Sequence, residues 1–187
     1  QAGFSRIEAG SFVSPKAIPA LRDGEQVFQG IRRRTGVIYV ALIPNLKGAQ
    51  RAVTSGADEL NLVLSASQTH NLANLRMRCE ASLAAFGEVV NFASDYPVSL
   101  NGSIATTFGC PFEGKIDEDR VLHLVDAYLE LGVQGITLAD TTGTLGVERG
   151  GTGLTSALSG YTLIGLSANS LSATSSIYVA PNRYVGI

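Results

Sequence analysis

The segment FGCPFEGK, residues 108–115, places a cysteine beside a proline, an acid and a base. A cysteine in such a loop could be a nucleophile or a metal ligand, since both uses depend on a reactive thiolate. No plausible activating base lies near Cys110 in the sequence, and the glycines and proline around it are typical of a turn. We therefore expect Cys110 to be a packed loop thiol rather than a nucleophile.

A second set of candidate residues occurs near the carboxyl ends of short apolar segments. Glu8 lies in RIEAGSF and Asp140 ends GITLAD. Neutral side chains that could hydrogen-bond a substrate lie at the carboxyl ends of the segment that contains Glu8 and of three others: Ser11, Asn45, Ser67 and Thr107. Capping of strand ends is the simpler role for these four, and a turn cap at Asp140 is compatible with a function in chemistry.

The segments that must position these residues alternate in character. Five short apolar segments are predicted as strands, and helical periodicity separates them: RIEAGSF, VIYVALIPN, ELNLVLSAS, VSLNGSIATT and GITLAD. The spacing predicts helices over residues 17–34 with a break at Gly24, over residues 46–55, over residues 72–90 as one long amphipathic helix with Cys79 on its apolar face, and over residues 117–131. Repeated βα units predict an α/β fold with a parallel sheet.

Two architectures are built on parallel sheets, the doubly wound sheet and the closed eight-stranded barrel. The barrel is favoured, because strand ends that carry polar residues gather around one mouth in a barrel and spread along an edge in an open sheet. No glycine-rich phosphate loop follows the first strand, which disfavours a nucleotide-binding sheet. Five strands are too few to close the barrel, so the expected fold is an incomplete (β/α)8 TIM barrel.

Composition describes a globular protein and excludes several classes of partner. The chain has 187 residues, 45% of them hydrophobic, and a formal net charge of −2, which gives no attraction to nucleic acid or anionic membranes. No apolar run is long enough to span a membrane. Two cysteines without a zinc-type spacing predict two free thiols. A cytoplasmic location is expected, although the chain begins at Gln1 rather than Met, so that a preceding targeting segment, a mitochondrial one included, stays an open alternative.

Composition changes sharply after Gly146. Residues 147–187 are rich in Ser, Thr and Gly, and carry charge only at Glu148, Arg149 and Arg183. Short β-prone pieces such as YTLIGL and SIYVA lie between turn residues, and helical periodicity is absent. The sequence thus predicts a partial barrel domain over residues 1–146 and an unrelated β-prone tail over residues 147–187.

Four motifs, in order along residues 4–146, carry a family resemblance: EAGSFVSPKAIP, IPNLKGAQRAVTSGADELNLVLSAS, GSIATTFGCPFEGKI and ADTTGTLG. This part of the chain resembles hydroxymethylglutaryl-CoA lyases. The resemblance implies a TIM barrel that cleaves 3-hydroxy-3-methylglutaryl-CoA, an acyl-CoA of leucine breakdown and ketone-body formation, into acetyl-CoA and acetoacetate. It also implies a Mg²⁺ or Mn²⁺ cofactor, a catalytic role for Glu8 in orienting an arginine beside the metal, and one for Asp140 at the active-site floor.

The chain also departs from the family pattern. The Arg-Asp-Gly strand, the His-x-His metal ligands and the later catalytic cysteine loop of the family do not occur in it. Arg22–Gly24 spells the first motif but lies within a predicted helix, and His70 and His123 do not form the pair. The five βα units correspond to strands two to six of eight, with no metal ligands. We therefore expect a truncated chain, arising from a fusion or a gene fragment, that is inactive alone.

Two other functions remain open. The chain could be a non-catalytic structural or binding protein that uses its β-rich tail, or a related Claisen-type acyl-CoA synthase. The strand edges at RIEAGSF and GITLAD would be open in a partial barrel, and open edges favour pairing with other chains, so self-association is also expected.

Overall fold

The computed structural model describes residues 3–142 and the backbone of two later strands, residues 162–167 and 170–174. Strands and helices alternate along residues 3–142 in the order β1 (Arg6–Ser11), α1 (Gly24–Gly30), β2 (Ile38–Ile43), α2 (Leu46–Thr54), β3 (Glu59–Ser65), α3 (Gln68–Leu75), α4 (Cys79–Ala93), β4 (Ser99–Ala105), α5 (Glu118–Glu130) and β5 (Gly135–Leu138). The strands form one parallel sheet in sequence order. The expected α/β fold is confirmed, with five parallel strands and four βα units completed within residues 3–142.

One face of the sheet, the helix-covered face, carries Leu60, Leu62 and Leu64 of β3, all fully buried. Phe86 of α4 and Tyr128 of α5 join the same core, with their rings stacked at 5.8 Å between centroids. The Tyr128 hydroxyl donates a hydrogen bond to the carbonyl oxygen of Leu62 at 2.8 Å, so this large side chain is buried without losing its polar partner.

Close approach of α5 to the sheet requires a glycine in β4. A Cβ atom at Gly102 would lie 2.7 Å from Cδ1 of the Tyr128 ring, nearer than side-chain carbons pack. Residue 102 therefore forms a notch in the sheet that accepts the ring.

The prediction of one long helix over residues 72–90 is wrong, because a turn separates α3 from α4 in this region. Arg76 adopts a left-handed backbone conformation with φ of 57°, which ends α3, and Cys79 begins α4. The buried Asn71 amide stabilises the turn by donating to the Met77 carbonyl at 2.9 Å and to the Ser82 hydroxyl at 3.0 Å. Leu72, which the periodicity placed on the apolar face, is 44% exposed. Cys79 is buried as expected, at the start of its helix.

The helix predicted over residues 17–34 is likewise divided: a short 3₁₀ turn spans Pro19–Leu21 and α1 begins at Gly24, the position expected to interrupt it. The helix predicted over residues 117–131 is confirmed. Asp117 caps α5, with its side chain accepting from the Asp119 N–H at 3.0 Å, and two acids in the first turn favour the positive end of the helix dipole.

The described part of the tail is an antiparallel pair of strands, β6 (Thr162–Ser167) and β7 (Ser170–Thr174). β6 covers most of the segment YTLIGL, which confirms a strand there, whereas SIYVA and the proposed boundary near Gly146 lie outside the described residues. None of the helices in the described part of the chain combines the length and apolarity that crossing a membrane requires.

Candidate active site

The inner face of the sheet, opposite the helix-covered face, carries a hydrogen-bonded polar row: Glu8, Asn61, Asn101, Ser103 and Thr137. Asn61 donates from Nδ2 to Glu8 Oε2 at 2.8 Å, reaching from β3 across β2 to β1. Its Oδ1 accepts from Asn101 Nδ2 at 2.9 Å and from Ser103 Oγ at 2.8 Å. Asn101 also donates to Thr137 Oγ1 of β5 at 3.1 Å. The polar row thus connects the two outer strands of the sheet.

Glu8 is exposed at one end of this row, and Asn61 holds its carboxylate in a defined position. Except for Glu8, sequence reasoning missed these residues, although a period-two alternation of polar and apolar residues marks Asn61 and Ser103 within their strands. Alternation indicates a polar face, but it does not say which side chains meet across strands.

An ion pair lies nearer the amino ends of the strands. Arg6 Nη2 is 3.0 Å from Glu59 Oε2, and Ser99 donates to the same oxygen at 2.9 Å. Glu59 is 3% exposed, and both contacts compensate the burial of its charge. This end of the inner face is therefore stabilised by charge pairing, and the candidate site lies toward the carboxyl ends.

At those carboxyl ends, Thr106 connects the segments that follow β3, β4 and β5. Its Oγ1 accepts from the Ser67 N–H at 3.2 Å, and its own N–H donates to Thr141 Oγ1 at 2.7 Å. Thr106 is fully buried and has a φ of 58°, a left-handed conformation that a β-branched residue rarely adopts. Strained residues of this kind concentrate at functional sites. The contact fixes the residue that follows Asp140, and the half-buried Asp140 lies at this edge of the sheet.

Three of the predicted substrate-binding residues make local contacts. Asn45 caps α2 by accepting from the Gly48 N–H at 3.0 Å, and Ser67 caps α3 by accepting from the His70 N–H at 3.0 Å. Thr107 donates from its hydroxyl to the Ile104 carbonyl at 2.7 Å. Capping, the simpler alternative, accounts for these side chains, and their contact with a substrate stays a prediction.

Ser11, the fourth of these residues, differs because its hydroxyl oxygen is buried and has no hydrogen-bond partner among the described residues. It ends β1 beside Leu42 of β2. A buried hydroxyl without a partner costs free energy, so a ligand atom bonded to it would be favoured. Substrate binding at Ser11 stays a prediction.

The loop FGCPFEGK is held against α3. Cys110 and Gly114 exchange backbone hydrogen bonds at 2.7 and 2.8 Å, and Cys110 Sγ accepts from the Phe112 N–H at 3.3 Å. Glu113 Oε1 accepts from the Thr69 N–H at 2.7 Å, and this bond holds the pKa of the Glu113 carboxyl below its usual value of 4.5. Cys110 is 4% exposed, which confirms a packed loop thiol.

Cys79, the second free thiol, is buried at the start of α4. Its Sγ is 3.2 Å from the Ser65 carbonyl oxygen and accepts from Arg120 Nη2 at 3.4 Å. Burial raises the pKa of the Cys79 thiol, and the Arg120 charge opposes that shift only partly. Cys79 is therefore a packing residue, and Arg120 connects α5 to the loop after β3, where it also donates to the Ala66 carbonyl.

Residues 3–142 contain no cluster of three His, Cys, Asp or Glu side chains that could hold a metal ion. His70 and His123, which were not expected to pair, lie on different helices, α3 and α5. The residues that the structure describes therefore do not fit the divalent cation that the resemblance implies.

Parallel βα units with polar residues at the carboxyl edge of their sheet are typical of a partial TIM-barrel domain. The family model described as HMGL-like matches residues 1–153, and the chain belongs to this family. It is 40% identical to the hydroxymethylglutaryl-CoA lyase of Bacillus subtilis over 141 residues, which is 75% of this chain and 47% of that protein. The human mitochondrial lyase is 36% identical over 143 residues, or 76% of this chain and 44% of that protein.

Solved structures agree with these relatives. A lyase from Acinetobacter baumannii, in complex with coenzyme A and 3-methylmalate, is 65% identical and superposes with a TM-score of 0.75 over 79% of this chain and 48% of that one. The Bacillus subtilis lyase structure is 38% identical, with a TM-score of 0.76 over 80% of this chain and 50% of that one. The resemblance to hydroxymethylglutaryl-CoA lyase is confirmed, and the chain spans about half the length of the relatives it matches.

Proposed function

We propose that residues 3–142 form the acyl-CoA-binding part of a hydroxymethylglutaryl-CoA lyase barrel, in which 3-hydroxy-3-methylglutaryl-CoA is cleaved to acetyl-CoA and acetoacetate. The polar row from Glu8 to Thr137 carries this proposal, because it lines the inner face below the edge where the predicted site residues lie. The Acinetobacter relative, which was solved with coenzyme A and 3-methylmalate, supports the choice of ligand class.

In this function Glu8 is proposed to orient the arginine that the resemblance implies for a complete barrel, and Asp140 to orient the substrate at the active-site floor. The carboxylate of Glu8 is oriented by Asn61, and Asp140 is positioned by the neighbouring Thr141–Thr106 contact. Ser11 offers an unpaired hydroxyl to the substrate. The remaining neutral residues, Asn45, Ser67 and Thr107, shape the loops and are proposed to line the pocket.

The cofactor is proposed as Mg²⁺ or Mn²⁺ for a complete barrel only. Such a cation, when bound, polarises substrate oxygens. Because the described residues hold no suitable cluster, we assign no step of the reaction to a metal bound by them. We expect this chain to bind acyl-CoA compounds without turning them over.

Calorimetry with coenzyme A and with 3-methylmalate, together with an acetoacetate assay in Mg²⁺ or Mn²⁺, tests this function. We expect binding without acetoacetate release, and weaker 3-methylmalate binding in Ser11→Ala, which removes the unpaired hydroxyl proposed to meet the substrate. Ser94→Ala, at the exposed end of α4, is the matched control and should bind like the wild type. Failure of both compounds to bind would contradict the proposal, and robust acetoacetate release by the chain alone would contradict its incompleteness. Turnover of a 2-oxo acid with acetyl-CoA would instead favour the synthase.

We also propose that the tail over residues 147–187 is a separate β-rich segment, as the pairing of β6 with β7 supports. A non-catalytic binding role for the chain would require this segment to be ordered. Limited proteolysis separates the two outcomes: instant cleavage after residue 146 with survival of the rest contradicts the binding role, and protection of the tail supports it.

Within the described residues β1 and β5 each have one strand neighbour, so each presents an unpaired edge. We propose that the chain self-associates through these edges. Light scattering coupled to size-exclusion chromatography tests this, and a monodisperse monomer would contradict it. The 65% identity to a bacterial lyase favours a bacterial cytoplasmic location, which fractionation of the native host would test.

A further inference from the structure

Ser65 and His70 form a hydrogen-bonded pair at the mouth of the inner face. Ser65 is the last residue of β3 and lies on the same face as Asn61, since side chains four residues apart in a strand share a face. Its Oγ is 2.7 Å from Nδ1 of His70, which belongs to the first turn of α3. The Ser67 cap on the His70 N–H fixes that turn. The imidazole therefore lies at the carboxyl edge of the sheet, where the proposed substrate would enter.

The burial of Ser65 favours one tautomer of His70. Ser65 is 1% exposed, and most buried hydroxyl groups donate to a partner. His70 Nδ1 is the partner of this hydroxyl among residues 3–142, and with the hydroxyl as donor, Nδ1 accepts and the neutral ring carries its proton on Nε2. Within the same residues Nε2 has no hydrogen-bond partner, and the half-buried ring presents it as a donor.

The surroundings of His70 keep the ring in place. The Phe112 ring packs on the imidazole with centroids 6.0 Å apart. Charged groups on the neighbouring elements are themselves engaged: Glu113 accepts from the Thr69 N–H, Glu80 of α4 accepts from Gln68, and Arg120 of α5 contacts Ala66 and Cys79. Because these three charged groups bond to other partners, they do not occupy the ring Nε2–H, which is available for a ligand.

We propose that His70 recognises an anionic group of the acyl-CoA substrate, and specifically a carboxylate of the acyl part, through its Nε2–H. Ser65 is the positioning residue that fixes the tautomer. This inference rests on the proposed function, because it takes the ligand class from there, but the state of the His70 proton can be measured without any ligand. A phosphate of coenzyme A offers the same acceptor chemistry and is the competing source.

The first test is ¹⁵N NMR of the imidazoles in the full chain, which contains two histidines, His70 and His123. We expect the protonated nitrogen of neutral His70 to be Nε2, with this preference lost in Ser65→Ala and His123 unchanged. A proton found on Nδ1 of His70 would overturn the proposal whatever the chain binds.

The second test adds 3-methylmalate, which has carboxylates and no phosphate, and coenzyme A, which has phosphates and no carboxylate. We expect 3-methylmalate to shift the His70 resonances and not those of His123. His70→Phe, which keeps the packing on Phe112, should weaken its binding about tenfold, as loss of one hydrogen bond to a charged group predicts. His70→Gln should recover part of the affinity, and His123→Gln should bind normally.

The outcomes separate this inference from the proposed function. Binding of 3-methylmalate without a shift of the His70 resonances would overturn the role of His70 and leave the proposed function standing. A His70 shift with coenzyme A alone would overturn the carboxylate assignment. Failure of both probes to bind would overturn the proposed function and, for this chain, the inference with it.

Discussion

The two faces of the parallel sheet are stabilised in different ways. On the helix-covered face, Leu60, Leu62 and Leu64 are fully buried against α4 and α5. On the inner face, Asn61 and Ser103 are each 8% exposed and take part in hydrogen bonds, while Glu8 is open to solvent. Consecutive residues of one strand thus belong to two environments, one governed by apolar packing and the other by polar pairing.

This difference separates stability from function. The helix-covered face tolerates little change in shape, because cavities in a close-packed core are costly. The inner face keeps its polar groups connected to one another by hydrogen bonds, and these bonds hold the side chains in position without requiring that water be excluded from the face. Substitutions at neighbouring positions of β3 should therefore affect different properties of the protein.

Leu62→Ala should produce the largest loss. Removing a fully buried leucine side chain leaves a cavity beneath α5, and we expect the free energy of unfolding to fall by about 3 kcal/mol. Denaturant unfolding followed by circular dichroism measures this, with Leu122→Ala, at an exposed position of α5, as the control. Equal small losses for both variants would remove the basis of the comparison.

Asn61→Ala should cost less, about 1–2 kcal/mol, because it leaves the donors of Asn101 and Ser103 without their shared acceptor. Partial exposure allows water to replace some of that bonding. The same unfolding measurement applies, with Asn74→Ala on the exposed surface of α3 as the control. A loss as large as that of Leu62→Ala would show that the inner face is a second packed core.

Tyr128→Phe should cost about 1 kcal/mol, since it removes the hydrogen bond to the Leu62 carbonyl while preserving the ring. Burial also raises the pKa of the Tyr128 phenol, so the hydroxyl stays protonated and continues to donate over the accessible range. The free energy of unfolding should differ from that of the wild type by a constant amount between about pH 6 and pH 9, because the ordinary pKa of tyrosine lies above this range. A difference that vanished as pH rose would mean that the phenol is accessible to base.

The smallest effect should come from Glu113→Gln and should depend on pH. The folded pKa of Glu113 is depressed, first by its bond to the Thr69 N–H, so its stabilising contribution is present above the usual value of 4.5 and is lost as pH falls through the folded pKa. Wild type should exceed the variant in stability near neutral pH and converge with it in acid. A gap that widened in acid would contradict this sign. Leu62→Ala should keep its deficit over the same range.

Much of the fold could be predicted from the sequence, because its signals are local. The five strands are short apolar segments between turn residues, and α5 combines an acidic first turn with a clear apolar period. The prediction of one long helix over residues 72–90 was wrong, because hydrophobic periodicity does not reveal a turn that a buried polar side chain stabilises. The buried Asn71 amide stabilises a turn at Arg76, and its partners lie six and eleven residues further along the chain.

The candidate site was predictable only in part. The polar residues at strand ends could be found because sequence position alone places them at one edge of a parallel sheet. The polar row could not, since Asn101 meets Asn61 across a separation of 40 residues that only strand register determines. His70 was noticed as a histidine after β3, but its pairing with Ser65 depends on the turn into α3.

The notch at Gly102 has a consequence for how the domain is assembled. The Tyr128 ring of α5 occupies the space that a side chain at position 102 would fill. The position of α5 affects the position of β5, which follows it in the chain. Gly102 of β4 therefore contributes to where Asp140 lies at the carboxyl end of β5. An alanine at position 102 would push α5 away from the sheet. It would thereby displace the carboxyl end of β5 without touching any of the proposed site residues.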